Sequence, residues 1–266
     1  MRVTPFARRA AAAAAGLFAL LAVGSAPAAA QLAATDGVAA PQIAHGTPAP
    51  DGAYPFSVKF TMTDIPQPEG GTYDSACSGA LIAPQWVATA GHCFHDVDKN
   101  PVGGKPRYDT TATIGRTDLS ERGGHVLSIV DVKQSPDTDI ALAKLAKPVH
   151  DITPLKLNRT APATGTAVRL VGWGATTADG DPVTHLQMGD FTVNKVDKHN
   201  VYVAGAKPSS DTSACPYDSG APYFTTGKKG PALVSVESTG PDCPHTDAET
   251  TSRVDAVADW ITTQIR

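Results

Sequence analysis

"CSGALIAPQWVATAGHC", residues 77 to 93, holds two strand-like runs, "SGALIA" and "WVATA", with a cysteine at each end and His92 beside the second cysteine. Similar runs recur along the chain from Tyr54: "FSVKF", "HVLSIVDV", "AVRLVGW" and "ALVSVES". Each is rich in Val, Thr, Leu or aromatic residues. Each is bounded by Gly, Pro, Asp or Asn clusters such as "QPEGG", "DKNPVGGKP", "TADGDP" and "STGPD". Short strands at that spacing, without helical periodicity between them, predict an all-β sandwich or barrel. The exception is the end: "SRVDAVADWITTQIR" repeats Val254, Val257 or Ala258, and Ile261 at helical spacing behind Ser252 as N-cap, which predicts a C-terminal amphipathic helix.

The first 30 residues differ from the rest. Arg2, Arg8 and Arg9 precede an apolar Ala/Leu run and then Ala28-Ala29-Ala30, the order of a secretory signal peptide. The run is about 14 residues, short of the roughly 20 that a membrane-spanning helix needs. The expectation is a secreted, extracellular protein. Without residues 1 to 42, the 22 basic and 26 acidic residues become 19 and 25, and no Lys/Arg stripe remains to bind nucleic acid. Cys77, Cys93, Cys215 and Cys243 make an even count, which in an oxidising exterior favours two disulfides. Spacing alone leaves three pairings open. A zinc site at His92, Cys93 and His95 lacks a second Cys/His cluster, and "HDVDKN", residues 95 to 100, lacks the ligand spacing of an EF-hand, so neither metal nor cofactor is expected.

Three stretches carry chemistry. "TAGHC" places His92 just after a strand-like run, "TDIALAKL" places Asp139 at the head of an apolar strand, and "YDSGAP" places Ser219 on a tight turn. Singly, these read as a turn histidine, a local cap and a common turn tripeptide. Together they supply what a serine nucleophile requires: a base to take its proton and a carboxylate to fix the tautomer of that base. The order His, Asp, Ser differs from that of subtilisin-like and α/β-hydrolase enzymes.

With "IAHGTPAPDGAYPFSVKF" from Ile43, "DIALAKL", "VGWG", "CPYDSGAP" and "RVDAVADWI", the chain resembles the chymotrypsin/trypsin-like serine proteases of secreted, bacterial type, over essentially all of residues 43 to 266. The resemblance implies two packed six-stranded antiparallel β-barrels and a closing helix, with the junction near 147–166. It implies a secreted endopeptidase acting on proteins or peptides through His92, Asp139 and Ser219, and pairs Cys77 with Cys93 and Cys215 with Cys243. It makes the chain a monomer with no cofactor, open to a protein inhibitor. The Tyr217 and Ser219 N–H groups would form the oxyanion hole, but the family has glycine where Tyr217 stands. A tyrosine forced into that conformation costs on the order of 1–3 kcal/mol. A flipped 216–217 peptide would instead cost about 2.7–4 kcal/mol of transition-state stabilisation. The rival reading is a binding protein of protease ancestry.

The resemblance further implies a zymogen. Residues 31 to 42 would be a short propeptide, and cleavage after Gln42 would free the Ile43 amine to pair with Asp218. Gln42 is not a tryptic cleavage site. In the substrate pocket Ser213 holds the position of the carboxylate that binds basic side chains, and Ser238, Thr239 and Gly240 form the wall. Ser213 argues for an apolar or aromatic preference, unless Asp211, Asp242 or Asp247 reaches in.

Overall fold

Inward and outward positions alternate along the long strands as the pleat requires. In Gln187–Val196 the buried Gln187, Gly189, Phe191 and Val193 alternate with the partly exposed Met188, Asp190 and Thr192. In this computed structural model, residues 43–227 and 230–266 are described. The segments expected to be a signal peptide, 1–30, and a propeptide, 31–42, lie outside them.

The strands in chain order are β1 (Thr47–Pro48), β2 (Ser57–Pro66), β3 (Thr72–Ala83), β4 (Trp86–Thr89), β5 (Asp109–Ile114), β6 (His125–Gln134) and β7 (Ala141–Leu145), then β8 (Lys156–Leu157), β9 (Ala167–Gly172), β10 (Gln187–Val196), β11 (Asn200–Lys207), β12 (Pro222–Thr225), β13 (Ala232–Thr239) and β14 (Glu249–Arg253). The first barrel closes in the order β2-β3-β4-β7-β6-β5. The second closes as β9-β10-β11-β14-β13-β12, with β1 added along β10 and β8 parallel to β13. Closure removes the open edges that would otherwise template aggregation.

The barrels share a core. One apolar cluster joins Val58, Phe60 and Leu81 of the first to Val171, Phe224 and Val236 of the second. Phe56 meets Phe224 edge-on with ring centroids 5.3 Å apart. Alternation fails in β2, where Ser57, Val58, Lys59 and Phe60 are all buried: Val58 and Phe60 join the apolar core, and Lys59 lies against Trp173 beside the second barrel. The segment between β7 and β9 is anchored by buried Val149, Ile152 and Leu155, with the Leu155 N–H donating to the Leu81 carbonyl.

The terminal helix is shorter than "SRVDAVADWITTQIR" predicts. Helix α1 spans Ala258–Gln264 behind a single 3-10 turn, Asp255–Val257. Ser252 is not its N-cap: it lies in β14, buried, opposite Asn200 and Val236. Strand pairing on both sides outweighs the local capping tendency. Val254, Val257, Ala258 and Ile261 are nonetheless buried, as their spacing predicts. The disulfides are Cys77–Cys93 and Cys215–Cys243.

Candidate active site

His92 lies in a 3-10 turn, Gly91–Phe94, directly after β4. The turn is fixed by the Cys77–Cys93 disulfide, by the Tyr108 hydroxyl donating to the Cys93 carbonyl at 2.8 Å, and by the Gln134 amide donating to the Gly91 carbonyl at 3.1 Å. Asp139 ends the loop before β7, where the fully buried Ile140 anchors the chain. Its carboxylate grips His92 twice: Oδ1 accepts the backbone N–H at 2.8 Å, and Oδ2 lies 2.8 Å from Nδ1. The Ser238 hydroxyl donates to the same Oδ2 at 2.6 Å. Burial pushes the Asp139 carboxyl up, but the bond to and charge of His92, with the Ser238 bond, outweigh it and hold the group below its ordinary value. His92 Nε2 is 2.8 Å from Ser219 Oγ. The structure thus brings one side chain from the second barrel to two from the first.

The Ser219 turn is knitted to both barrels. Its own carbonyl accepts from Ser78 N–H in β3 at 2.8 Å, and Gly220 N–H donates to Glu237 in β13 at 2.8 Å. Tyr217 has φ +74°, the left-handed region that favours glycine. The Pro216 carbonyl accepts from Ala175 N–H at 2.8 Å, which turns the Tyr217 N–H, on the opposite side of the same peptide, away from Ala175. Among the described residues neither the Tyr217 nor the Ser219 N–H has a protein acceptor. Unpaired donors beside a nucleophile are what a developing oxyanion needs.

Asp218 is fully buried and accepts N–H bonds from Gly174 at 2.8 Å and Cys215 at 3.1 Å. A Cβ at Gly174 would overlap its carboxylate. Burial raises Asp218 to about 6 against those two bonds and the charge of Lys59. Ile43 is also fully buried, among Leu170, Phe191 and Tyr223, but no hydrogen bond joins it to Asp218. The nearby cation is Lys59, which is 4% exposed and donates to the Trp173 carbonyl at 3.1 Å.

On one side of Ser219 opens a cavity of about 220 Å³, walled by Ser238, Thr239, Gly240 and the Cys215–Cys243 disulfide. Ser213 is not on its wall. It is buried, pairs with Ala44 and accepts from the His245 N–H. The acids that line the cavity are Glu237, Glu249 and Asp242. Of the other two acids weighed from the sequence, Asp211 pairs with His45 at 2.8 Å and Asp247 is exposed outside the lining. On the other side of Ser219 a groove is lined by Met62, Ile65, Tyr73, His95 and Tyr108.

The metal candidates are engaged elsewhere. Cys93 is in a disulfide, and Asp96 accepts the N–H groups of Asp98 and Asn100 in its own loop. No group of three ligating side chains occurs among the described residues.

Burial raises Glu249 to about 8 and Asp218 to about 6. The folded state therefore holds protons that the unfolded chain has released, so stability falls as pH rises from about 4.5 towards 8. Glu237, Asp218 and His245 surround Glu249. Thermal unfolding at constant ionic strength should show a lower Tm at pH 8 than at pH 5. Glu249→Gln should recover on the order of 1–3 kcal/mol at pH 8 and much less at pH 5.

Two barrels that meet at a hydrogen-bonded serine, imidazole and carboxylate have the architecture of a serine hydrolase. The family model described as Trypsin matches residues 43–261, and the chain belongs to the trypsin family. As a member it is a serine endopeptidase. It is 29% identical over 208 residues to a trypsin of Saccharopolyspora erythraea, covering 71% of this chain and 83% of that one. It is 28% identical to mouse serine protease 56 over 84% of this chain, a match that covers 39% of the mouse protein. A mutant of human heparin binding protein (CAP37) superposes with a TM-score of 0.63 at 22% identity, over 82% of this chain and 94% of that one, a likeness of fold alone.

Proposed function

We propose that this endopeptidase is exported and cleaves peptide bonds through an acyl-enzyme formed on Ser219. Ser219 Oγ attacks the scissile carbonyl while His92 Nε2 takes its proton. The charge that develops on the carbonyl oxygen is received by the Tyr217 and Ser219 N–H groups. The tetrahedral adduct collapses as His92 returns the proton to the leaving amine. Water, deprotonated by His92, then releases the acid. Asp139 holds Nδ1 protonated throughout, so that Nε2 is the free base. Cleavage after Gln42 would add the Ile43 amine as a cation for Asp218.

The observation that carries this reading is the chain Asp139 Oδ2 to His92 Nδ1 at 2.8 Å and His92 Nε2 to Ser219 Oγ at 2.8 Å. The test is a fluorophosphonate probe. It should label the processed wild type at Ser219 and leave Ser219→Ala unlabelled. Folded, processed protein that takes no label would instead favour a non-catalytic binding protein.

A further inference from the structure

The cavity beside Ser219 is lined by acids and by no lysine or arginine. Glu249 opens β14 and Glu237 lies in β13, 1% and 4% exposed, and Asp242 sits at the exposed rim. Glu237 accepts the Tyr223 hydroxyl at 2.9 Å. Glu249 Oε1 accepts Ala214 N–H at 2.8 Å. Its Oε2 has no protein hydrogen-bond partner among the described residues and faces Gly240 on the cavity wall, where a Cβ would overlap it. His245 Nε2 comes within 3.1 Å of Oε1 but lacks hydrogen-bond geometry to it. Two buried carboxyl groups with neither Lys nor Arg beside them carry a desolvation penalty, which a cation entering the cavity would offset.

We propose that Glu249 selects a cationic side chain, lysine or arginine, on the substrate residue before the scissile bond, taking the role that Ser213 leaves vacant. The inference rests on the serine-protease reading above and reverses the apolar preference expected from Ser213. Glu249 accepts the ammonium or guanidinium on Oε2, and Asp242 attracts the cation at the mouth. Glu249 reaches the cavity from its β14 edge, whereas Ser213 lies buried off the wall.

Two measurements test this, one of them independent of catalysis. Benzamidine, a cation, and benzamide, its neutral counterpart, are titrated into the Ser219→Ala protein by calorimetry. Benzamidine should bind at least about 10-fold more tightly, and Glu249→Gln should abolish the difference. Equal affinities would overturn the proposal whether or not the chain is an active protease. In the active protein, chromogenic peptides that vary the residue before the scissile bond should show Lys or Arg preferred over Phe and Leu. Glu249→Gln should lower kcat/KM for Lys and Arg by about 10² and change Phe and Leu little, with fluorophosphonate labelling intact. A preference for Phe or Leu in wild type, or an unchanged ratio in the variant, would also overturn it. Selective benzamidine binding without labelling would uphold the pocket and defeat the catalytic reading.

Discussion

Asp139→Asn should lower kcat by about 10⁴ with little change in KM or Tm, the loss known for this substitution in trypsin-type triads. The local geometry explains why so small a change should cost so much. Asp139 accepts three hydrogen bonds, from His92 N–H, His92 Nδ1 and the Ser238 hydroxyl. Asparagine offers one oxygen and one NH₂ group. If the oxygen keeps the His92 backbone N–H, the NH₂ group faces Nδ1 and forces the imidazole to carry its proton on Nε2. That nitrogen, 2.8 Å from Ser219 Oγ, would then be a donor and no longer a base. If the amide is reversed, the NH₂ group meets the backbone N–H donor instead, and the turn that holds His92 loses an anchor. The measurement is kcat/KM on a peptide ester with active-site titration, so that fewer active molecules are not mistaken for slower ones. Residual activity within 10-fold of wild type would mean that Asp139 does not set the tautomer.

The strands and the three side chains that meet between the barrels could be read from the sequence because each lies in a short, recognisable pattern. The Val, Thr and aromatic runs became strands, and His92, Asp139 and Ser219 lie in the turns just after β4, just before β7 and just before β12. Glu249 and Lys59 could not be read this way. "DAETTSR" looks like a polar surface segment, and what buries Glu249 is β14 pairing with β11 and β13 across the cavity, a fact of tertiary closure. Lys59 sits in "FSVKF", where alternation would send it to solvent. The second barrel covers that face instead. A charged residue inside an otherwise apolar strand, in "FSVKF" as in "ALVSVES" with Glu237, was the available signal. Ser252 failed as an N-cap for the same reason, since pairing partners distant in sequence claimed its backbone.

Lys59→Met should destabilise the protein by about 3–5 kcal/mol at pH 7, a Tm loss of roughly 10 °C for a domain of this size. Lys59 Nζ bonds the Trp173 carbonyl, and Asp218 accepts the Gly174 N–H. Those two groups belong to one peptide unit, so a single amide plane separates the buried cation from the buried anion. Burial lowers Lys59 to about 8, and Asp218 stands at about 6, so both are charged at pH 7. Removing the cation leaves Asp218 ionised in the interior with only two N–H bonds. Protonation would relieve it, so the deficit should shrink at pH 5, below the folded-state value of Asp218. Adding Asp218→Asn to Lys59→Met should restore part of the stability, because it removes the orphaned charge while its NH₂ group must face one of the two N–H donors that the carboxylate accepts. Lys59 also stands 5.7 Å from the centroid of the Tyr217 ring, so the variant should loosen the turn that carries the unpaired Tyr217 and Ser219 N–H groups and, if these receive the oxyanion as proposed, depress kcat more than KM. If the freed Ile43 amine becomes a second cation for Asp218, chain cleaved after Gln42 should tolerate Lys59→Met better than uncleaved chain. Equal losses in the two forms would place the whole burden on Lys59.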